Sequence, residues 1–365
     1  LVSVDVFRGG TMAAMVIVNT PGDWSQVFWP FLHAEWHGWT PTDLIFPFFV
    51  FLVGVAVVLS PRSQTRVSGI LRRGGLLYLV GLGLALYPRF DVATVRLMGV
   101  LPRLALCYTA SALIYRSIAQ RPGAAQARAA LTIAGGLLAL YWGLLMWVPP
   151  PGGVAGDLAP GRDLGAWIDR ALLGEAHLWR TSRTWDPEGL LSTLPAVGTA
   201  LTGIAAGVWL RSPEPVGWRL GRLLTAGALG VACGVLWDLS FPINKNLWTS
   251  SYVLLTSGLA MIGLAALHYV FDVRSAPRLA RPWVVLGTNA LVLFVASGWL
   301  VKTLTLWRVA GENGASTTAY RWIYVTVFAP LAPPKIASLA FAIAMLAVLY
   351  LALEGLYRRR WFVRV

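Results

Sequence analysis

The chain has 365 residues, of which 57% are hydrophobic and only 13% charged, with 18 tryptophans, a formal net charge of +14 and a mean hydropathy of +0.64. That leaves too little polar surface to cover a soluble globule, so a water-soluble domain is excluded and a bilayer is expected. The surplus of cations does not call for nucleic acid, because the arginines fall in short loops between apolar runs.

Crossing a hydrocarbon core of ~30 Å takes ~20 apolar residues. Taken in chain order, spans of that kind are predicted at Val4 to Asn19, Thr42 to Ser60, Leu71 to Tyr87, Val95 to Tyr115 and Ala129 to Val148. They continue at Leu190 to Leu210, Leu220 to Leu239, Ser250 to Phe271, Val284 to Leu304 and Ile336 to Tyr357. The fold class is therefore an all-α membrane protein, a polytopic bundle of about ten transmembrane helices in one domain over 1–365. The chain opens at Leu1 without Met or a signal-peptide n-region, and no small-residue cleavage site follows Val18, so the first run reads as a mature helix. Tyr320 to Leu331 is short, carries Arg321 and runs into Pro330, Pro333 and Pro334, so an interfacial or re-entrant helix is expected there.

Charge sets the expected orientation. With the amino terminus cytoplasmic, the inner loops carry Arg62, Arg66, Arg72 and Arg73, then Arg116, Arg121 and Arg128, then Arg211, Arg219 and Arg222, then Arg274, Arg278 and Arg281. The outer loops hold Asp23, Glu35, Asp91, Asp157, Asp163, Asp169, Glu175, Asp186, Glu188 and Glu312. Ten spans also bring Arg358, Arg359, Arg360 and Arg364 inside, so both termini are expected in the cytoplasm. The longest connection, 150–189, starts Pro/Gly-rich, faces outward and has the length to act as a lid over the outer mouth. Cys107 and Cys233 lie inside predicted helices and indicate neither a disulfide nor a metal site.

Between the first two spans, Asn19 to Phe49 carries His33, Glu35, His37 and Asp43. Ionisable groups at the mouth of a membrane helix are costly and mark a functional site by default. Imidazole suits general-base or nucleophilic work, although an aromatic belt with Trp36 and Trp39 would also hold a histidine. Asn19 ends one helix and Asp43 opens the next, so three polar groups can converge, while an aspartate at a helix start also complements the dipole.

Further along, Arg103 sits in an apolar run and needs an anion or a buried acid, for which Asp238 is one partner. Pro102, Pro195 and Pro242 can break helices around a cavity. Asn244, Lys245, Asn246 and Trp248 form a polar turn that can recognise sugar or phosphate, or simply cap a loop. Asn289 can stitch helices together, and Arg8 can pair with Asp5. Trp24, Trp29, Trp36, Trp179 and Trp185 can stack on sugar rings or anchor the interface.

The stretches SVDVFRGGTMAAMVIVN and LHAEWHGWTPTDLIFPFFVFLVGV, with RLMGVLPRLALCY, DPEGLLSTLPAVGTALTG, FPINKNLWTSSYVLLTSGLA, GTNAL and YRRRWFVRV, carry a resemblance over nearly the whole chain. They resemble the heparan-α-glucosaminide N-acetyltransferases and their bacterial relatives. The resemblance implies transfer of acetyl from acetyl-CoA to the amine of a terminal glucosamine across a membrane, without a metal, and the charge bias places the site on the extracytoplasmic side of a cell inner membrane. It implies catalytic roles for His33, rather than His37, and for Asn19, with Asp43 either in the chemistry or in a network behind it. Arg8, Arg103, Asn244, Lys245, Asn246, Trp248 and Asn289 are the expected substrate and CoA contacts. The expected partners are acetyl-CoA, an amino-sugar acceptor and the bilayer, with no nucleic acid, and the resemblance is compatible with a homodimer. An amino-sugar transporter or an O-acyltransferase of a surface glycan would share the polar mouth, though a transporter calls for internal repeats and none is visible.

Overall fold

A computed structural model describes residues 1–60, 66–310 and 316–363, so Arg62, Glu312 and Arg364 lie outside the described residues. The chain is mostly helical, as its composition predicts, and forms two compact units.

The first unit comprises Leu1–His33, Thr40–Ile45 and Val270–Arg364. It contains α1 (Val2–Asn19), α10 (Pro277–Thr288), α11 (Ala290–Leu306), α12 (Ala319–Ile323) and α13 (Pro334–Arg358). Glycines bring α1 and α10 into backbone contact: a Cβ on Gly9 would lie 1.8 Å from the Trp283 carbonyl oxygen. In lipid, where burying apolar surface gives no drive to association, such close approach supplies the packing that holds helices together. Tyr324, Ala337, Phe341 and Met345 form a separate apolar cluster where α13 meets the segment after α12. A two-stranded antiparallel pair joins β1 (Arg308–Ala310) to β2 (Ser316–Thr318), an element the all-α expectation did not include.

The span expected at Val284 to Leu304 is not one straight helix. It is the pair α10 and α11, bent by 67°. The break is Asn289, whose φ of −116° and ψ of 38° are not helical. Its side chain pins the far end of the chain, donating from Nδ2 to the Trp361 carbonyl at 3.1 Å and accepting at Oδ1 from the Val363 amide at 3.0 Å. The segment near 320–331 is short, as expected: α12 passes into a π-helical turn at Tyr324–Phe328 before Pro330.

The second unit comprises Ala34–Trp39 and Phe46–Tyr269. It holds α2 (Ile45–Leu59), α3 (Val67–Leu86), α4 (Val100–Ile118), α5 (Gly123–Trp147), α6 (Leu164–Leu173), α7 (Thr193–Arg211), α8 (Val216–Asp238) and α9 (Ser250–Leu267). The central, most deeply buried helix is α7, whose sequence TLPAVGTALTGIAAGVW is rich in small residues. They let neighbours press close: a Cβ on Gly203 would fall 2.0 Å from the Phe51 carbonyl oxygen, and one on Gly54 would fall 1.8 Å from that of Ala200. The loop before α7 is folded, with Leu164 and Trp167 of α6 packing on Tyr141, Leu145 and Phe241.

Among the described residues eight helices are long and apolar enough to cross a membrane, or nine if the bent pair is one span. The expected first-half span at Val95 begins at Val100 instead. The Leu97 amide is tied to the His177 carbonyl at 3.2 Å in a bend before the helix, and the helix that follows contains Arg103 and Arg116, which lower its hydropathy. The three prolines do not break helices either. Pro102 and Pro195 sit in the first turns of α4 and α7, where a missing N–H costs nothing, and Pro242 lies in the turn after α8.

Candidate active site

In the first unit, Pro41–Leu44 form a tight turn that leads into α2, with Thr40 as its cap. Asp43 is 1% exposed and uses its two oxygens on different partners. Oδ2 accepts the Thr40 amide at 3.0 Å, completing a capping box that satisfies an otherwise orphaned N–H. Oδ1 lies 2.6 Å from Nδ1 of His33, whose side chain is half exposed. The loop bearing His33 is held to the turn by Thr40 Oγ1, donating to the Leu32 carbonyl at 2.6 Å, and by Thr42 Oγ1, donating to the Pro30 carbonyl at 2.9 Å. Asp43 therefore caps the turn before α2 and contacts the histidine at once.

An ionised carboxylate only accepts hydrogen bonds, so the Nδ1 nitrogen facing it carries the proton and the lone pair falls on Nε2. That is the tautomer of a general base. Asn19, exposed at the end of α1, donates from Nδ2 to the Met15 carbonyl one turn back at 2.9 Å. This is its one hydrogen bond among the described residues, so the second amide hydrogen points elsewhere. The same helix packs against the 41–44 turn. Arg8 takes a structural position, 3.5 Å from Asp5 and donating to the Gly287 carbonyl at 3.3 Å.

In the second unit, His37 is held differently. Asn244 Oδ1 accepts the Leu247 amide at 2.9 Å, which leaves its NH₂ to face His37 Nδ1 at 3.3 Å. Because an amide NH₂ only donates, His37 accepts at Nδ1 and presents an N–H at Nε2, the opposite tautomer to that of His33. The Gly38 amide also donates to the Ile243 carbonyl at 2.7 Å, so the 34–39 segment and the 243–249 turn are tied by backbone. Buried Asn244 is thus a structural clamp. Trp248 is 1% exposed, with a φ of 55°; its Nε1 donates to Thr199 Oγ1 at 3.2 Å and its ring packs edge-on against Phe46 and Tyr252. Lys245 and Asn246 are half-buried beside it, and Asn246 makes no side-chain hydrogen bond among the described residues.

Fully buried Arg103 lies 5.1 Å from the Trp248 ring centroid and donates from Nη2 to the Gly189 carbonyl at 2.9 Å and to Ser192 Oγ. Its Nε and Nη1 have no hydrogen-bond partner among the described residues. Asp238 is not its partner, because the Asp238 carboxylate accepts the Ile243 amide at 2.6 Å. Asn289, with both amide atoms spent on the 361–363 segment, is likewise a structural residue.

The sequence reading missed a buried charge cluster by treating its acids as outer-loop charges. Arg96 grips Asp186 through Nε at 2.8 Å and through Nη2, and Nη2 also meets Glu188. Burial pushes the Glu188 carboxyl up, but the positive charges of Arg96, Arg103 and Lys245 outweigh it and hold the group below its ordinary range. Burial raises Asp186 more than Arg96 lowers it. Nearby Asp169, 2% exposed, is pushed up to about 7, chiefly by burial. The available signal was two acids spaced D-x-E just before an apolar run. Trp36, Trp179 and Trp185 form an edge-to-face cluster, with centroids 5.0 and 5.4 Å apart, while Trp24 and Trp29 stand 65% exposed.

Residues 1–150, which include Asn19, His33 and Asp43, match the family model for the catalytic part of heparan-alpha-glucosaminide N-acetyltransferase. The chain is 31% identical over 348 residues to the Homo sapiens heparan-alpha-glucosaminide N-acetyltransferase, covering 80% of this chain and 52% of that protein. It is 30% identical over 370 residues to the Mus musculus protein, covering 85% and 55%. The chain is similar to this family over most of its length. It spans about half the length of the curated relatives it matches. The His33–Asp43 pair lies inside the region that the catalytic model matches.

Proposed function

We propose that the chain is an acetyl-CoA-dependent N-acetyltransferase whose acceptor is the amine of a terminal glucosamine or a related amino sugar. The observation that carries this reading is the 2.6 Å contact between His33 Nδ1 and a buried Asp43 carboxylate, which leaves Nε2 with the lone pair. An amine attacks a thioester only when unprotonated and close. Nε2 of His33 takes the amine proton as the C–N bond forms, and returns it to the CoA sulfur as the C–S bond breaks. The second hydrogen of the Asn19 amide stabilises the oxyanion of the tetrahedral intermediate. The same Nε2 can instead attack the thioester and carry the acetyl group before the amine arrives, which is a ping-pong route. Lys245 and Asn246 are the proposed contacts for substrate phosphate or sugar hydroxyls, and Arg103 is the proposed cation for a CoA phosphate.

The arginine bias of the loops supports cytoplasmic termini in a cell inner membrane, with the His33 mouth on the extracytoplasmic side. The decisive experiment mixes purified protein with labelled acetyl-CoA and glucosamine or a short glucosaminide, comparing wild type with His33→Ala. Acetylated amine made by wild type and lost in the variant is the expected result. Label on the protein without acceptor, absent from the variant, selects the ping-pong route. Product on hydroxyl acceptors alone reassigns the chain to O-acyl transfer. Turnover with no acceptor in a broad panel, together with uptake of free sugar into vesicles, would overturn the enzyme reading.

A further inference from the structure

A cavity of about 240 Å³ lies in the second unit, where the start of α5, the end of α7 and the start of α8 come together. Its walls include Gln126, Val208, Trp209, Arg211, Ser212 and Trp218. None of the residues assigned to acyl transfer lines it. The cavity is smaller than the ~300–1,000 Å³ that swallows a drug-sized ligand, so it suits one end of a larger molecule.

Its polar side is cationic and underused. Arg211 has five N–H donors and spends two among the described residues, from Nη1 on the Val58 carbonyl at 3.1 Å and from Nη2 on the Tyr115 hydroxyl at 2.9 Å. Arg222, one turn further along α8, stacks its guanidinium 4.7 Å from the ring centroid of Trp218, a residue of the wall. Arg219 gives Nη1 to the Leu210 carbonyl at 3.2 Å, while its buried Nε has no hydrogen-bond partner among the described residues. Within 211–222 the only acid is Glu214, set against these three arginines. The Gln126 amide is spent on the backbone carbonyls of Ala119 and Arg121, so it shapes the wall without competing for a ligand. The result is a tryptophan-lined recess whose wall carries the Arg211 guanidinium, with donors to spare, and Arg219 and Arg222 follow on the adjoining helix. A planar guanidinium fork matches phosphate oxygens, and an indole face takes a flat or apolar body.

We infer that this recess is a binding site for a phosphate-bearing group attached to a flat or apolar body. A soluble purine nucleotide and an anionic phospholipid both offer that chemistry. The inference does not depend on the acyl-transfer reading and survives its failure.

The test uses full-length protein in nanodiscs of phosphatidylcholine, titrated calorimetrically with ADP, adenosine and inorganic phosphate. In parallel, native mass spectrometry of protein from mixed phosphatidylcholine and phosphatidylglycerol membranes reads which lipid is retained. Ser212→Asp sets an anion in the recess and Trp218→Ala removes the flat wall, while Trp218→Phe keeps it. For a nucleotide site, ADP binds at least tenfold more tightly than adenosine, phosphate competes, and both Ser212→Asp and Trp218→Ala weaken ADP at least tenfold, with Trp218→Phe near wild type. For a lipid site, phosphatidylglycerol is retained over phosphatidylcholine and both disruptive variants release it. If variants that elute and melt like wild type leave ADP binding and lipid retention unchanged, or if neither probe binds, the inference is wrong.

Discussion

Asp43→Asn isolates what the buried carboxylate does for His33. The substitution keeps the shape of the side chain and leaves one oxygen to accept the Thr40 amide, now at 3.0 Å from Oδ2. Its NH₂ then faces His33 Nδ1, where Oδ1 now sits at 2.6 Å. Two losses follow. A hydrogen bond to a charged group contributes about 1.5–3 kcal/mol, which corresponds to roughly 10- to 150-fold in rate. The amide also favours the tautomer with its proton on Nε2, where no lone pair remains to take the amine proton, and a wrong tautomer of this kind costs up to about 10⁴-fold in kcat. The expected fall in kcat is therefore about 10²- to 10⁴-fold. Since Asn is itself a good helix cap, stability should fall by no more than about 1 kcal/mol. Initial rates of labelled acetyl transfer at saturating acceptor read the first quantity, and thermal unfolding in the same detergent reads the second. A folded Asp43→Asn protein with kcat within threefold of wild type would refute the reasoning and leave Asp43 as a helix start alone.

Three further outcomes are expected. Asn19→Ala should lower kcat at least tenfold with little change in the acceptor KM or in Tm, since its one hydrogen bond is to its own helix; a change in KM alone would make Asn19 a binding residue. Arg96→Met leaves Asp186 and Glu188 buried without their cation and should cost about 3–5 kcal/mol, seen as lost expression or a large drop in Tm, whereas a neutral effect would mean the acids are solvated in the fold. Burial holds the Asp169 carboxyl protonated up to about 7 in the folded protein, so the native state binds more protons than the unfolded state between about pH 4 and 7. Stability contributed by this group thus falls as pH rises through that window and levels off above it. Asp169→Asn, which can still accept the Leu190 amide, should flatten the slope, and a wild-type-minus-variant Tm difference that stays constant from pH 5 to 8 would contradict the assignment.

Composition and the spacing of apolar runs carried the helical, membrane-type fold, because the demand for ~20 apolar residues per crossing is written locally in the chain. The same local rule placed helical residues at each of the ten predicted positions, with boundaries displaced and one position split into the bent pair α10 and α11. It could not show that Asn289 breaks its helix, since the cause is a pair of hydrogen bonds to residues more than 70 positions away. Nor could it place Asp186 and Glu188, whose burial depends on Arg96 arriving from another part of the chain. At the site, Asn19, His33 and Asp43 were legible because polar groups between two apolar runs stand out in sequence. Only the tertiary structure decided which groups face them. His33 and His37 are four residues apart and chemically identical, yet one faces a carboxylate that accepts and the other an amide that donates. The protonated nitrogen of each ring follows from that partner, and partners are fixed by folding, not by sequence proximity.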